Sequence, residues 1–504
     1  DADGINGFLL QWCRWLKRGN EAAAQAYYAE LRPAVAAPSI RILARNPLML
    51  TALAVLHVWR HRLPEQRVHL YEQIMDWLAE QAAYKRREYS KYERLERFGR
   101  LALAMQEWKG GQKTQIGVDA AAKLITPPMK SIEVARQFLE QAQIDSGIVT
   151  LRGGEIAFWH KSFQEYLAAR KLADKTETEI GKRARRFLYA PEGREVLPLL
   201  AGCLSNDRLD PVMADLIGDA LGQKALKRQA HGAGVLGNML RDVAFRYELS
   251  EPAKGRFGKL SDAVMDIFEK GKTRGIGLRI RVDAAEALDQ ASQSRLRTPD
   301  QEDYWRTIRG GTFTIGGLKA YQSLPWKSVA VATFRIGRFP VTVWEYGKFL
   351  DDTNLDKPER WDEQDKHPSR PVVGVTWHDA QRYCEWAGCQ LPTEEQWEFA
   401  ARGTPERIYP WGPEGQDPDE HRANFGRSVG EPTPGGMFPD GETPEGVADM
   451  AGNVWEWTRS DYDENSKVLR GASFYVEARD LGAAVRYWYE PGDWVDVGFR
   501  CVRE

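Results

Sequence analysis

The spacing of apolar positions along this chain changes character once, near residue 300. Before that point apolar residues recur with the helical period. The stripes over Ala22 to Leu31 and Leu70 to Tyr84 show it clearly. The same period predicts helices over 192–205, 210–221, 231–247, 263–270 and 283–293. Asn46-Pro47 suits a helix start, since Asn can cap and Pro is preset for the first turn. Between the helices, 147–151, the turn Arg152-Gly153-Gly154 and 155–158 predict a β-hairpin that runs straight into a further helix. After residue 300 the apolar runs shorten, and Gly, Pro, Trp and Thr become frequent. Strands are predicted over 309–316 and 334–342, with Pro340 at an edge or bulge. Helices are predicted over 343–350 and 376–388, and a third follows the capping box Thr393 to Gln396. The polar stretch 289–295 with Pro299-Asp300 reads as a linker. The linker divides the chain into a helical part, 1–298, and a second part, 299–504.

Composition narrows the function. A chain of 504 residues has room for about three domains or more. A formal charge of −2 gives no general attraction to nucleic acid or membrane, so neither is expected as a partner. No apolar run approaches the roughly 20 residues of a membrane helix. The N-terminus has neither signal-peptide features nor an initiator Met, which suggests a fragment of a longer protein. Five widely spaced cysteines without C-x-x-C argue against a disulfide framework and for a cytoplasmic setting. Cys384 and Cys389 are expected on one helix as buried free thiols, and Cys501 as a strand residue. His57 and His61 lack a following carboxylate, and His367, His378 and His421 are not spaced as a ligand triad. His160, at a strand-to-helix junction, is expected to bond locally.

Two strings in the first half are distinctive: Arg45-Asn46-Pro47-Leu48-Met49-Leu50-Thr51, and Phe158-Trp159-His160-Lys161-Ser162-Phe163-Gln164-Glu165-Tyr166-Leu167-Ala168-Ala169. Together they resemble the region that follows the ATPase in NACHT-type (STAND) signalling NTPases. The resemblance implies a helical post-ATPase region over 1–85, a winged-helix-like domain over 86–175 and a helical arm over 176–298. The chain has no G-x-x-x-x-G-K-[ST] loop. ATP binding, and oligomerisation through an NTPase, would therefore need a module upstream.

The last 200 residues carry Leu391-Pro392-Thr393-Glu394-Glu395-Gln396-Trp397-Glu398, then Gly452-Asn453-Val454-Trp455-Glu456-Trp457, Arg470-Gly471-Ala472-Ser473-Phe474 and Gly498-Phe499-Arg500. In this order they resemble the formylglycine-generating-enzyme family, which implies an α+β C-type-lectin-like domain. The fold class is then multidomain, mostly α before the linker and lectin-like after it. Trp386, Trp397, Trp455 and Trp457 are expected in the core. The resemblance places the paired reactive cysteines of the copper oxidases at Val476 and Leu481, neither of which is a thiol. Without thiolates there, no copper chemistry is expected at that position, and the histidine pattern argues against iron. Calcium is the cofactor the resemblance does suggest, through Asp449, Gly452, Val454 and Glu456, with Asn424 and the Phe438 carbonyl at a second position.

In place of the reactive cysteines stands an aromatic and acidic segment. Its exposed-looking positions are Tyr475, Val476, Glu477, Arg479, Asp480, Val485, Tyr487, Trp488, Tyr489, Glu490, Asp493, Trp494 and Asp496. Leu481, Ala484, Arg486 and Pro491 look structural. Tyr and Trp supply rigid, amphipathic contact area at low entropic cost. The placement resembles the variable proteins of diversity-generating retroelements, whose hypervariable stretch lies between R-G-[GA]-S-[WF] and G-F-R. Glu477, Trp488 and Glu490 depart from what adenine mutagenesis of an AAC codon yields. The expectation is a non-catalytic binder of protein or peptide ligands, acting as the sensor of a NACHT-type NTPase. The alternatives are a metal-dependent oxidase of the formylglycine-generating or sulfoxide-synthase type, and a static, non-diversified binding domain.

Overall fold

The computed structural model describes residues 2–504 except 38–39, 41–42, 45, 61, 65, 86–87, 128, 146, 292–294, 317–326, 359, 413–415 and 493. The chain forms two compact units, one of residues 1–219 with 238–253 and one of 220–237 with 254–504.

The first unit is helical. It holds α1 (Ala2–Leu16), α2 (Glu21–Ala36), α3 (Pro47–Arg60), α4 (Arg67–Lys85), α5 (Lys91–Gln106), α6 (Val118–Ile125), α7 (Ile132–Asp145), α8 (Lys161–Ala173), α9 (Glu177–Phe187), α10 (Gly193–Cys203) and most of α11 (Asn206–Leu221). A small antiparallel sheet sits among them, in the order β1 (Gln115–Gly117), β3 (Glu155–Phe158), β2 (Val149–Arg152). The expected hairpin is β2 and β3, paired from Val149 with Phe158 to Arg152 with Glu155. The two distinctive strings meet. His160 caps α8 by accepting from the Ser162 N–H, and its Nε2 lies 3.0 Å from Asn46 Nδ2. Asn46 Oδ1 in turn caps α3 through the Met49 N–H at 3.2 Å. His160 therefore does structural work at two helix starts.

The second unit holds α13 (Ala253–Ala263) and α14 (Leu278–Ala291), with part of α12 (Leu226–Val243), and then the sheet-containing domain. Only a short 3-10 turn, Met265–Phe268, stands where 263–270 was expected as a helix. Asp262 and Ser261 belong to the preceding helix instead. The unit boundaries do not coincide with the linker expected near 289–300. The physical reason is that α14 is fastened to the sheet-containing domain. Glu286 pairs with the Arg370 guanidinium, Nε at 2.9 Å, Asp289 accepts from Ser369 at 2.9 Å, and Arg281 donates to the Met437 carbonyl at 3.4 Å.

This domain has three small sheets. One has the order β12 (Val502–Arg503), β7 (Phe334–Gly337), β4 (Trp305–Ile308); another pairs β5 (Gly311–Ile315) with β6 (Lys327–Val331). The largest runs β10 (Tyr487–Tyr489), β9 (Lys467–Arg470), β8 (Trp455–Asp461), β11 (Val497–Phe499). Around them lie α15 (Val343–Thr353), α16 (Trp361–Gln364), α17 (Trp377–Trp386) and α18 (Glu394–Arg402). Capping boxes start α15, α17 and α18, the last with Thr393 and Gln396 as expected. Trp397, Trp455 and Trp457 are buried. Trp386 is not: it is 38% exposed at the end of α17, because its indole faces outward over Phe349 and Tyr383 rather than into the core.

Candidate functional site

The segment between β9 and β11 rests on a buried lattice of charges. Arg500, fully buried, gripsthe Glu456 carboxylate with two contacts of 2.6 Å. Trp397 Nε1 donates to the same carboxylate at 2.7 Å. Arg470 pairs with Glu398 at 2.9 Å and donates to the carbonyls of Ala484 and Val485. Arg486 pairs with Glu394 at 2.8 Å. The bidentate Arg500–Glu456 and Arg486–Glu394 pairs fix direction as well as distance. Arg470 and Arg486 thus clamp the middle of the segment from below.

Its two ends are tied as well. Ser473 Oγ donates to Asp496 at 2.7 Å, closing the base of the loop. Gly426 and Arg427 donate from their backbones to the carbonyls of Val476 and Phe474. Gly471 has φ +94°, and a Cβ there would come within 3.0 Å of the Trp397 ring. Glycine is required at that turn for both reasons.

What the clamped segment presents is aromatic. Tyr475, Tyr487 and Trp494 are 41%, 36% and 38% exposed. Tyr489 stacks on Trp494 with centroids 4.1 Å apart and meets Tyr487 edge-on at 5.3 Å. Tyr487 in turn stacks on Trp455 at 5.5 Å. Strand alternation sends Trp488 to the other face, where it stacks on Tyr462 at 4.1 Å. Glu477, Arg479 and Glu490 are exposed, and Val476, Asp480, Trp488 and Tyr489 are half-buried. Two expected surface positions point inward. Val485 is buried in the core, held where Arg470 binds its carbonyl. Asp496 is turned onto Ser473, and burial pushes its carboxyl above the usual range. Asp493 lies outside the described residues. Leu481 and Ala484 are buried.

Two residues that sequence reasoning passed over join this surface. Tyr462 is exposed and carries Arg486 over its ring at 4.6 Å. Arg427 lies over Tyr475 at 5.2 Å. Tyr462 comes from the β8–β9 connection and Arg427 from a loop well before the segment, and the fold brings both to it.

Of the four residues suggested for calcium, the two carboxylates are already engaged. Both Glu456 oxygens are taken by Arg500 and Trp397. Asp449 accepts the Gly436 N–H at 2.6 Å, and burial raises its carboxyl to about 6. Asn453, with φ +70°, binds Thr433 and Asn424 through its side chain. The carbonyls of Gly452 and Val454 would have to supply an ion without a free Glu456 oxygen. A hard cation needs six to eight oxygens, so this turn as built does not fit calcium. Asn424 is also buried, but its Oδ1 has no hydrogen-bond partner among the described residues.

The histidines do not converge. His367 lies 3.3 Å from Glu286, His421 3.3 Å from Thr273, and His378 packs edge-on against Trp377. Cys384 and Cys389 are buried free thiols as expected, but they do not share a helix. Helix α17 ends at Trp386, so Cys389 lies beyond it rather than on it. Gly388, with φ +65°, turns the chain back, and the Cys389 N–H bonds the Cys384 carbonyl at 2.9 Å. Cys501 falls between β11 and β12, not within a strand. All five cysteines are free thiols.

Residues 292–504 match the family model described as the sulfatase-modifying factor enzyme 1-like domain (FGE-sulfatase). The C-terminal part of the chain is thus an FGE-sulfatase domain. Among individual relatives, a hercynine oxygenase of Mycobacterium tuberculosis is 32% identical over 220 residues, 33% of this chain and 51% of that protein. An inactive C-alpha-formylglycine-generating enzyme 2 of Bos taurus is 40% identical over 161 residues, 26% of this chain and 50% of that protein. The chain spans about half the length of the curated relatives it matches. Among solved structures, Treponema denticola variable protein 1 is 20% identical with a TM-score of 0.33, covering 40% of this chain and 94% of that one. Among the described residues no helix is long and apolar enough to cross a membrane.

Proposed function

We propose that the FGE-sulfatase domain of this chain is a recognition domain whose contact surface is the 475–496 segment, and that its ligand is a protein or peptide. One observation carries this: where the oxidases of the family keep a thiol pair, the chain has Val476 and buried Leu481, under a row of exposed aromatic rings. The separation of a rigid buried clamp from an exposed aromatic strip suits a surface that can change its side chains without losing its shape. Strand β10 lies at the edge of its sheet, so a peptide could add a further strand beside Tyr487 to Tyr489. The relative named inactive is in keeping with a domain of this type without catalysis. Within this proposal, the segment is a diversified one. The first unit couples ligand binding to an upstream NACHT-type NTPase in the cytoplasm.

The test is an array of peptides tiled from cytoplasmic proteins, probed with the whole chain. Peptides bound by the native chain should be lost when Tyr487, Tyr489 and Trp494 are all changed to Ala, with a cooperative unfolding transition kept. Retention of the same peptides by the triple variant would sink the recognition surface. A near-copy of the 470–500 coding segment beside a reverse transcriptase gene would separate a diversified domain from a static one.

A second reading is favoured by the relative named hercynine oxygenase. It predicts dioxygen consumption when the Fe(II)-loaded chain is given hercynine and a thiol. Turnover, rather than metal content, decides this alternative.

A further inference from the structure

Outside the contact surface, the described residues contain one group of three or more side chains placed to hold a metal ion: Cys384, Cys389 and Cys501, whose sulfurs all lie within 4.8 Å of one another. We infer that these three thiols form a binding site for a single soft, thiophilic cation, with Cu(I) as the preferred ion. Its three ligands stand at other positions than 476 and 481, where the copper oxidases of the family keep their cysteines.

The convergence is built by the fold, not by sequence spacing. Cys384 sits in the last turn of α17. The left-handed turn at Gly388 folds Cys389 back onto that helix end. The next residue, Gln390, forms an antiparallel bridge with Val502, with N–H to carbonyl contacts of 3.0 and 2.8 Å in the two directions. That bridge delivers Cys501 to the same spot. Five cysteines in 504 residues are sparse, and three of them meeting at one point is not what scattered core-filling thiols would give.

The distances suit an ion. Sulfurs about 2.3 Å from a common centre are about 3.8–4.0 Å from one another. Cys384 and Cys501 are 3.8 Å apart, and no disulfide joins any pair. No carboxylate or imidazole joins the three sulfurs among the described residues. Thiolates select soft metals, and a three-coordinate set satisfies Cu(I), whereas Zn(II) asks for a fourth ligand. Cys384 and Cys501 are buried, while Cys389 is 9% exposed and marks the way in. The Arg503 guanidinium interacts electrostatically with Cys389 and offsets part of the negative charge that thiolates would bring. Binding displaces up to three thiol protons to solvent. The sulfur and metal oxidation states do not change, so no oxidant is needed.

The experiment uses the whole chain, reduced and under argon. It is titrated with Cu(I) against a chromogenic Cu(I) chelator, and in parallel with Zn(II), with metal content read by mass spectrometry. About one Cu(I) per chain is expected, with at least about a tenfold loss of affinity in Cys389→Ser. Cys389→Ser is the first choice because its side chain is at the edge; Cys384→Ala is the second, should the first unfold by circular dichroism. Cys203→Ala, in the other unit, should leave uptake unchanged. Stoichiometric Zn(II) uptake that Cys389→Ser abolishes would keep the three-thiol site and change only the ion. Three outcomes overturn the inference: no stoichiometric uptake of either ion, uptake unchanged in both cysteine variants, or a Cys384–Cys501 disulfide in protein purified under reducing conditions.

Discussion

The charged lattice under the 475–496 segment and the aromatic strip on top of it use opposite physics within one domain. Below, Glu456, Glu398 and Glu394 are met by Arg500, Arg470 and Arg486 at 2.6 to 2.9 Å, largely out of water. Breaking one such buried pair strands a charge, which is costly. Above, Tyr475, Tyr487 and Trp494 stay partly in solvent. Removing one costs little folding energy but deletes contact area. A surface of this kind can vary only because the layer beneath it does not. The difference explains how a loop-rich segment holds a defined shape with little regular secondary structure.

The sharpest way to break this contrast is Glu456→Ala. It leaves Arg500 buried without its partner and should cost about 3–5 kcal/mol, read by chemical denaturation. A loss below about 1 kcal/mol would mean that the lattice is not what holds the segment. Next comes Glu345, a buried carboxylate that caps α15 without an arginine partner. Burial raises it to about 7. Its folded value exceeds its unfolded one, so the folded state holds the proton between about pH 4 and 7. Stability from this group therefore falls as pH rises through that window. Glu345→Gln can keep the cap and should gain about 1–3 kcal/mol at pH 8, a gain that fades toward pH 5. A pH-independent effect would contradict the assignment.

The strip should respond more mildly. Tyr489→Ala removes the stack on Trp494 and should cost about 0.5–1.5 kcal/mol in folding. A loss as large as that of Glu456→Ala would move the aromatic strip into the structural layer. The smallest expected effect is that of calcium. Saturating calcium at 100 times its dissociation constant would stabilise by about 2.7 kcal/mol. With both Glu456 oxygens engaged, the melting temperature should be the same in calcium and in chelator. A calcium-dependent rise would show that Arg500 yields an oxygen to the ion.

Much of the local structure in both units could be read from the sequence. The capping box Thr393 to Gln396, the buried Trp397 and Trp457 and the hairpin at 149–158 follow from local patterns, because caps and alternation act over a few residues. The helix over 263–270 could not, since a short 3-10 turn that buries Ile267 stands there rather than a helix. Val485 and Asp496 looked exposed because nothing nearby in sequence reveals Arg470 and Ser473 as their partners. Tyr462 and Arg427 were invisible as surface members for the same reason.

By itself the sequence determined the order of motifs, the lack of thiols at 476 and 481 and the aromatic character of the segment, since these are properties of residue identity. Tertiary structure alone decided which of those side chains face outward. It decided that Glu456 serves Arg500, and it brought together three cysteines separated by as many as 117 positions. Those outcomes depend on contacts across the chain, where burial and charge pairing outweigh any local preference.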